Sequence, residues 1–197
     1  MNATACYFVS AMADENTEIA RGLRRRDPDL LDRLIEQYQH RLLRYLVYLA
    51  GNRETAEDLF QETWLRVLER GSQYDAKHEF STWLFAIARN QAIDFLRKKK
   101  PAALEILTED GETEVPLPDT SQRSAFDLVA ESEQSERLKA ALANIPAEYR
   151  EAIVLRFHEE LSLHDITVVT GAPLGTVKSR IYRGLSTLLP RLKGMQR

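Results

Sequence analysis

The residues with the clearest chemistry stand at the C-terminal end of the 197-residue chain. From Leu174 to Arg197 there are six basic residues and no acidic one. Leu174, Val177, Ile181, Leu185 and Leu188 recur at spacings of 3, 4, 4 and 3, which makes an inward helical stripe. Thr176, Lys178, Ser179, Tyr182, Arg183 and Ser186 stand on the other face. Just before them, Ser162 can cap a helix whose inner face is Leu163, Ile166 and Val169. Gly171-Ala172-Pro173 then makes a tight turn. The pattern is a helix-turn-helix: apolar contacts behind, donors in front, positive charge for phosphate. Whether Lys178 and Arg183 reach a guanine edge or a phosphate stays open at this level.

A second group has the opposite charge. From Glu54 to Glu69 five acids stand against one base, Arg66. Asp58, Gln61, Glu62 and Leu65 share a face that suits a basic protein partner; a solvated acidic face is the plainer reading. A metal on the Asp58–Glu62 pair is set aside, because no further carboxylate pair or histidine joins it. The four histidines are scattered, Cys6 is the single cysteine, and there is no Gly-rich phosphate loop. No catalytic residue, metal or cofactor is expected. The next segment opens with Phe80, Trp83 and Phe85 and ends with Arg97-Lys98-Lys99-Lys100. Asn90, Asp94 and Arg97 share one helical face there. Aromatics beside bases suit unstacked nucleotides and backbone, although a tryptophan at this spacing is more often core.

These groups need helices to position them. Asp27-Pro28 starts one as N-cap and first position, and Gly51 ends it. Further helices are predicted over about 54–70, 81–100, 133–143, 146–157, 162–170 and 174–189. Pro190 is expected to stop the last one. No segment alternates as a strand does. The fold class is all-α: two small helical domains joined by a flexible acidic linker. Residues 1–17 read as a loose tail, 18–100 as the first domain, 101–132 as the linker and 133–197 as the second domain. The net charge of -3 hides this division. Residues 1–100 carry +1, 101–136 carry -9 and 137–197 carry +5. No apolar stretch reaches the roughly 18 residues of a membrane span, and the first residues lack a signal peptide's pattern, so a cytoplasmic protein is expected.

Three segments together resemble an extracytoplasmic-function (ECF) RNA polymerase sigma factor. Ala56-Glu57-Asp58-Leu59-Phe60-Gln61-Glu62-Thr63-Trp64-Leu65 is similar to the family's core-polymerase-binding helix. Phe80-Ser81-Thr82-Trp83-Leu84-Phe85-Ala86-Ile87-Ala88-Arg89-Asn90, with Asp94, is similar to its downstream-promoter helix. Gly175-Thr176-Val177-Lys178-Ser179-Arg180-Ile181-Tyr182-Arg183 is similar to its upstream-promoter recognition helix. The resemblance implies sigma region 2 over the first domain and region 4 over the second. It implies that Asp58, Gln61, Glu62 and Leu65 grip the polymerase β′ coiled coil. Phe80, Asn90, Asp94, Arg97 and Lys98, with the loop from Gly71, would bind the minus-ten element. Thr176, Lys178, Ser179, Arg180, Tyr182 and Arg183 would bind the minus-thirty-five element. Implied partners are core RNA polymerase, through its β′ coiled coil and β flap, promoter DNA and an anti-sigma factor, without membrane insertion.

Gly184 departs from the family's usual alanine, at a cost of about 1 kcal/mol of helix propensity. Thr167 stands where alanine is usual. The linker supports two-site binding. About 35 residues extend to at most roughly 115 Å and average roughly 30–35 Å as a coil. Promoter elements two duplex turns apart lie within roughly 70 Å. The alternative reading is a stand-alone helix-turn-helix regulator, which needs no acidic docking helix.

Overall fold

A computed structural model describes residues 3–99, 138, 140–142 and 144–194. All the secondary structure among these residues is helical. The acidic linker and the start of the helix expected from residue 133 lie outside them. The helices are α1 (Ala3–Arg25), α2 (Pro28–Ala50), α3 (Arg53–Arg70), α4 (Phe80–Lys99), α5 (Ala147–Ile153), α6 (Leu163–Thr170) and α7 (Leu174–Gly194).

The capping residues act as their types require. The Asp27 side chain accepts from the Asp29 and Leu30 amides, and Pro28 fills the first helical position. Gly51 closes α2 at φ 78, a left-handed turn open to glycine without strain. Asn52 caps α3 by accepting from the Thr55 amide at 2.8 Å. Ser162 caps α6 through the Asp165 amide, and Gly171 closes it at φ 70.

Two expectations are corrected. Residues 3–17 do not form a loose tail; they are the first part of α1. Ile19, Ala20 and Leu23 bury one face of that helix. Asn16 Oδ1 accepts from the Tyr74 hydroxyl at 3.1 Å and the Phe80 amide at 3.4 Å. Polar residues at 14–18 gave no apolar period, so the helix was silent in the sequence. Pro190 does not stop α7, which runs through it to Gly194. Pro190 and Ser186 both lie on the exposed face, where water can satisfy the carbonyl that loses its amide partner. Leu188 and Leu192 pack on Ala141, Leu142 and Ile145 and hold the last turns in place.

One apolar cluster runs through both halves of the chain. Leu34, Leu42, Tyr45, Leu46, Leu59, Val67, Leu84 and Phe85 from α2–α4 join Leu155, Leu161, Ile166 and Val177 from the C-terminal half. Helix α6 packs along α4, and α5 reaches α2. Between α5 and α6 the chain makes a single π-helical turn, Val154–His158, closed by the Glu159 amide donating to the Val154 carbonyl at 3.0 Å.

Candidate functional site

Helix α3 buries Thr55, Ala56, Leu59, Thr63, Trp64 and Val67. That choice of inner face turns Asp58, Gln61 and Leu65 to solvent. Glu62 is half-buried; it accepts from Gln91 Nε2 at 3.3 Å and pairs with Arg66 at 3.2 Å. Leu65 is 54% exposed and Leu68 41%. Two carboxylates, an amide and two largely uncovered leucines share one face of α3. The structure thus brings together the four residues read from the sequence.

The loop between α3 and α4 is tied at both ends. Gly71 is buried against Leu23, where a Cβ would lie 3.1 Å from Leu23 Cβ. The Tyr74 hydroxyl donates to the His78 carbonyl at 2.7 Å. Hydrogen bonds from Lys77 hold the Asp75 carboxyl below its usual range. Phe80 is corrected here: it is 1% exposed, so it is a core residue and not a nucleotide contact. Its ring sits among Tyr38, Tyr74 and Trp83 at centroid distances of 5.5–5.9 Å. It anchors the loop that precedes α4. Asn90, Asp94, Arg97 and Lys98 are exposed along α4.

On α7 the apolar stripe is in place, with Val177, Ile181 and Leu188 buried. Lys178 and Arg183 are exposed, Tyr182 is 76% exposed, and Thr176, Ser179 and Arg180 are half-buried. Arg183 Nη1 donates to the Tyr149 hydroxyl of α5 at 3.3 Å. A polar cleft opens between Tyr149, Thr176, Ser179, Arg180 and Arg183. Gly184 has a packing reason beyond propensity. A Cβ there would lie 2.7 Å from Ile153 Cδ1 and 3.2 Å from Tyr149 Cβ, so glycine lets α7 approach α5 closely.

The sequence reading missed the contacts between the two halves. Arg89 Nε donates to Glu151 Oε1 at 2.8 Å, and the Tyr45 hydroxyl donates to the same oxygen at 3.0 Å. Arg41 donates from Nε to Glu159 Oε2 at 2.8 Å and from Nη2 to the Glu159 carbonyl at 2.9 Å. Its guanidinium also lies 5.6 Å from the Tyr38 ring centroid. Glu151 and Glu159 are 3% and 2% exposed. Burial, with the negative charge of Glu151, pushes the Tyr45 hydroxyl well above its ordinary range. The His78 and His164 rings lie 5.8 Å apart, tilted by 39°, and His78 Nδ1 lies 3.5 Å from Asp165 Oδ1. One signal for Glu151 was present: an acid directly followed by the apolar run Ala152-Ile153-Val154-Leu155.

These elements make an all-helical protein with a basic helix-turn-helix in one half and an acidic helix with two uncovered leucines in the other. Comparison with known families agrees. Residues 34–101 match sigma-70 region 2, and residues 135–188 match sigma-70 region 4. The chain is 33% identical over 172 residues to the ECF RNA polymerase sigma factor SigW of Bacillus subtilis, covering 86% of this chain and 92% of that one. It is 37% identical over 157 residues to the ECF sigma factor SigE of Mycolicibacterium smegmatis, covering 80% of this chain and 59% of that one. The sigma factor RpoE of Bartonella quintana, solved with the anti-sigma factor NepR, shares the fold. Its TM-score is 0.59 at 23% identity, over 82% of this chain and 96% of that one. The chain belongs to the ECF RNA polymerase sigma factors. The region 2 match, in a chain that spans nearly all of SigW, sets aside a stand-alone helix-turn-helix regulator. No helix among the described residues is long and apolar enough to cross a membrane.

Proposed function

We propose that this sigma factor divides promoter-directed initiation among its three faces, with no chemistry of its own. Residues 18–100 act as the region 2 domain and 133–197 as the region 4 domain. Asp58, Gln61, Glu62 and Leu65 dock on the β′ coiled coil of core polymerase, while the β flap meets the region 4 domain. Asn90, Asp94, Arg97 and Lys98 engage the minus-ten element, with Phe80 supporting them from the core. Thr176, Lys178, Ser179, Arg180, Tyr182 and Arg183 engage the minus-thirty-five element. The protein works in the cytoplasm and is held in check by an anti-sigma factor.

The observation that carries this reading is the face of α3. Leu65 and Leu68 leave about half of their surface uncovered beside Asp58 and Gln61, and a DNA phosphate would be repelled there. The test is run-off transcription on a genomic-fragment pool with bacterial core polymerase, with the wild type and with Asp58→Arg/Glu62→Arg. New start sites that vanish in the double variant support the assignment. Binding to DNA without redirecting core polymerase overturns it.

A further inference from the structure

Helix α1 reaches the loop before α4 at two places. Asn16 Oδ1 accepts from the Phe80 amide at 3.4 Å and from the Tyr74 hydroxyl at 3.1 Å. Leu23, buried on α1, packs on Gly71 at the other end of the loop, where a Cβ would stand 3.1 Å from Leu23 Cβ. The first amides of a helix have no partner inside it and are normally satisfied by the side chain just before them. At α4 that side chain is Glu79, and its carboxylate accepts from the Ser81 hydroxyl at 3.4 Å. The Phe80 amide takes its acceptor from α1 instead, 64 positions away.

Between the buried anchors Tyr74 and Phe80 the loop turns outward. Asp75, Lys77 and Glu79 are exposed, and Ala76 and His78 are half-buried. Ala76 stands at φ 60, a left-handed conformation that a residue with a side chain keeps only where its surroundings fix it. The Asp75 carboxylate accepts from the Lys77 amide at 3.1 Å and pairs with the Lys77 ammonium at 2.9 Å. The Tyr74 hydroxyl shares its proton between Asn16 and the His78 carbonyl, 2.7 Å away. The His78 ring meets His164 and Asp165 of the C-terminal half, yet its carbonyl is held from within the N-terminal half. Asn16 thus bears on the start of α4 directly and on the middle of the loop through Tyr74.

We infer that Asn16 is a positioning residue for recognition of the minus-ten element, acting on the unpaired bases through the shape of loop 75–79 and not by touching DNA. An unstacked base is read by hydrogen bonds and by fit to a pocket of fixed outline. A loop with a wandering backbone offers no such outline, so its selectivity falls while the charge of Lys77 stays. Asn16 supplies the fixity. Removing its oxygen strands the amide of Phe80, a residue 1% exposed, and takes away one of the two acceptors that orient the Tyr74 hydroxyl. Helix α1 thereby belongs to the promoter-binding apparatus, although it holds none of the residues named for DNA contact. The inference rests on the reading of the loop and α4 as the minus-ten surface.

The test uses the full chain and two readouts. Amide hydrogen exchange over residues 74–80 is measured in the free protein. Base preference is measured with core polymerase by sequencing transcripts from a promoter pool whose minus-ten element is randomised. Asn16→Leu keeps the bulk and removes the acceptor. It should speed exchange of the Phe80 amide about tenfold and flatten the base preference, with about tenfold fewer transcripts from the preferred sequence. Binding to duplex carrying the upstream element alone should be unchanged. Asn16→Asp keeps the acceptor and should stay within about twofold of the wild type in both readouts. Tyr74→Phe keeps the ring, should act in the direction of Asn16→Leu, and serves if that variant aggregates. Unchanged exchange in both Asn16→Leu and Tyr74→Phe overturns the clamp. Faster exchange with an unaltered base preference overturns the role in recognition. An Asn16→Asp variant as impaired as Asn16→Leu overturns the hydrogen bonds as the cause, and an equal loss of upstream binding would mean general unfolding and overturn it too. A wild type that shows no preference in the randomised element sinks the minus-ten reading instead, while exchange, read without polymerase or DNA, still judges the clamp.

Discussion

Arg89 of α4 and Tyr45 of α2 donate to one and the same oxygen, Glu151 Oε1, at 2.8 Å and 3.0 Å. A single carboxylate from the C-terminal half therefore satisfies two donors from different helices of the N-terminal half. The arrangement explains how a charged residue with 3% exposure is tolerated in an apolar cluster. The charge is paired and the phenol supplies a second hydrogen bond. Phe85 and Leu155 belong to the same apolar cluster, whose burial supplies the main favourable term of the contact between the halves.

Stability should fall at alkaline pH. The Tyr45 hydroxyl lies well above its ordinary value of 10.0, first through burial and then through the charge of Glu151. Burial also raises Tyr74. The folded chain thus holds these protons more tightly than the unfolded chain. That contribution is intact below about pH 10 and is lost as pH rises above it, by about 1.4 kcal/mol per pH unit for each such group. Urea midpoints measured from neutral pH to above 10 should stay flat and then drop. Tyr45→Phe should make the drop shallower, and an unchanged drop would show that other groups cause it.

The sequence made the local signals legible. Asp27, Gly51, Ser162 and Gly171 sit where capping chemistry requires them. The exposed faces of α3 and α7 follow from apolar period alone, because burying one stripe leaves only one arrangement for the rest. What stayed hidden depended on long-range contact. Phe80 looked like a free aromatic beside bases; only the fold surrounds it with Tyr38, Tyr74 and Trp83. The partners of Glu151 and Glu159 lie 62 and 118 residues away, and no local pattern names them, although the apolar run after Glu151 marks that acid as placed beside the core. Pro190 was misread for the opposite reason. A strong local rule yielded to packing by Leu188 and Leu192.

Pro190→Ala should stabilise the C-terminal half. Helix α7 continues through Pro190, with one backbone hydrogen bond missing. Restoring the amide and removing the ring clash should gain about 1–3 kcal/mol. The residue is exposed, so no core contact is lost. The thermal midpoint should rise; a fall would mean that the proline sets a bend the packing needs.

Tyr182→Ala and Lys178→Ala should separate binding from folding. Tyr182 is 76% exposed and Lys178 is exposed. Each change should alter stability by less than about 0.5 kcal/mol. Both should weaken binding to duplex DNA carrying the upstream element. Titrations at several salt concentrations assign their roles. If Lys178 meets a phosphate, its loss lowers the salt slope by about 0.9. An unchanged slope with relaxed sequence preference would place it on a base edge instead.

Gly184→Ala tests whether close approach or propensity dominates in α7. Alanine is favoured by about 1 kcal/mol in a helix interior. Against that, its Cβ would stand 2.7 Å from Ile153 Cδ1, 3.3 Å from Ile153 Cγ1 and 3.2 Å from Tyr149 Cβ. Overpacking of this kind costs about 1–3 kcal/mol, so the single variant should be less stable than the wild type by about 1 kcal/mol. Ile153→Val removes the offending Cδ1 and alone should cost about 0.5–1.5 kcal/mol. Combined, the two changes relieve each other, and the double variant should be at least as stable as Ile153→Val alone. The same shift of α7 should lengthen the contact between Arg183 and Tyr149, so Gly184→Ala should also weaken binding to the upstream element, with recovery in the double variant. Additive losses in a denaturation cycle would show that Ile153 and Gly184 do not meet as the structure places them.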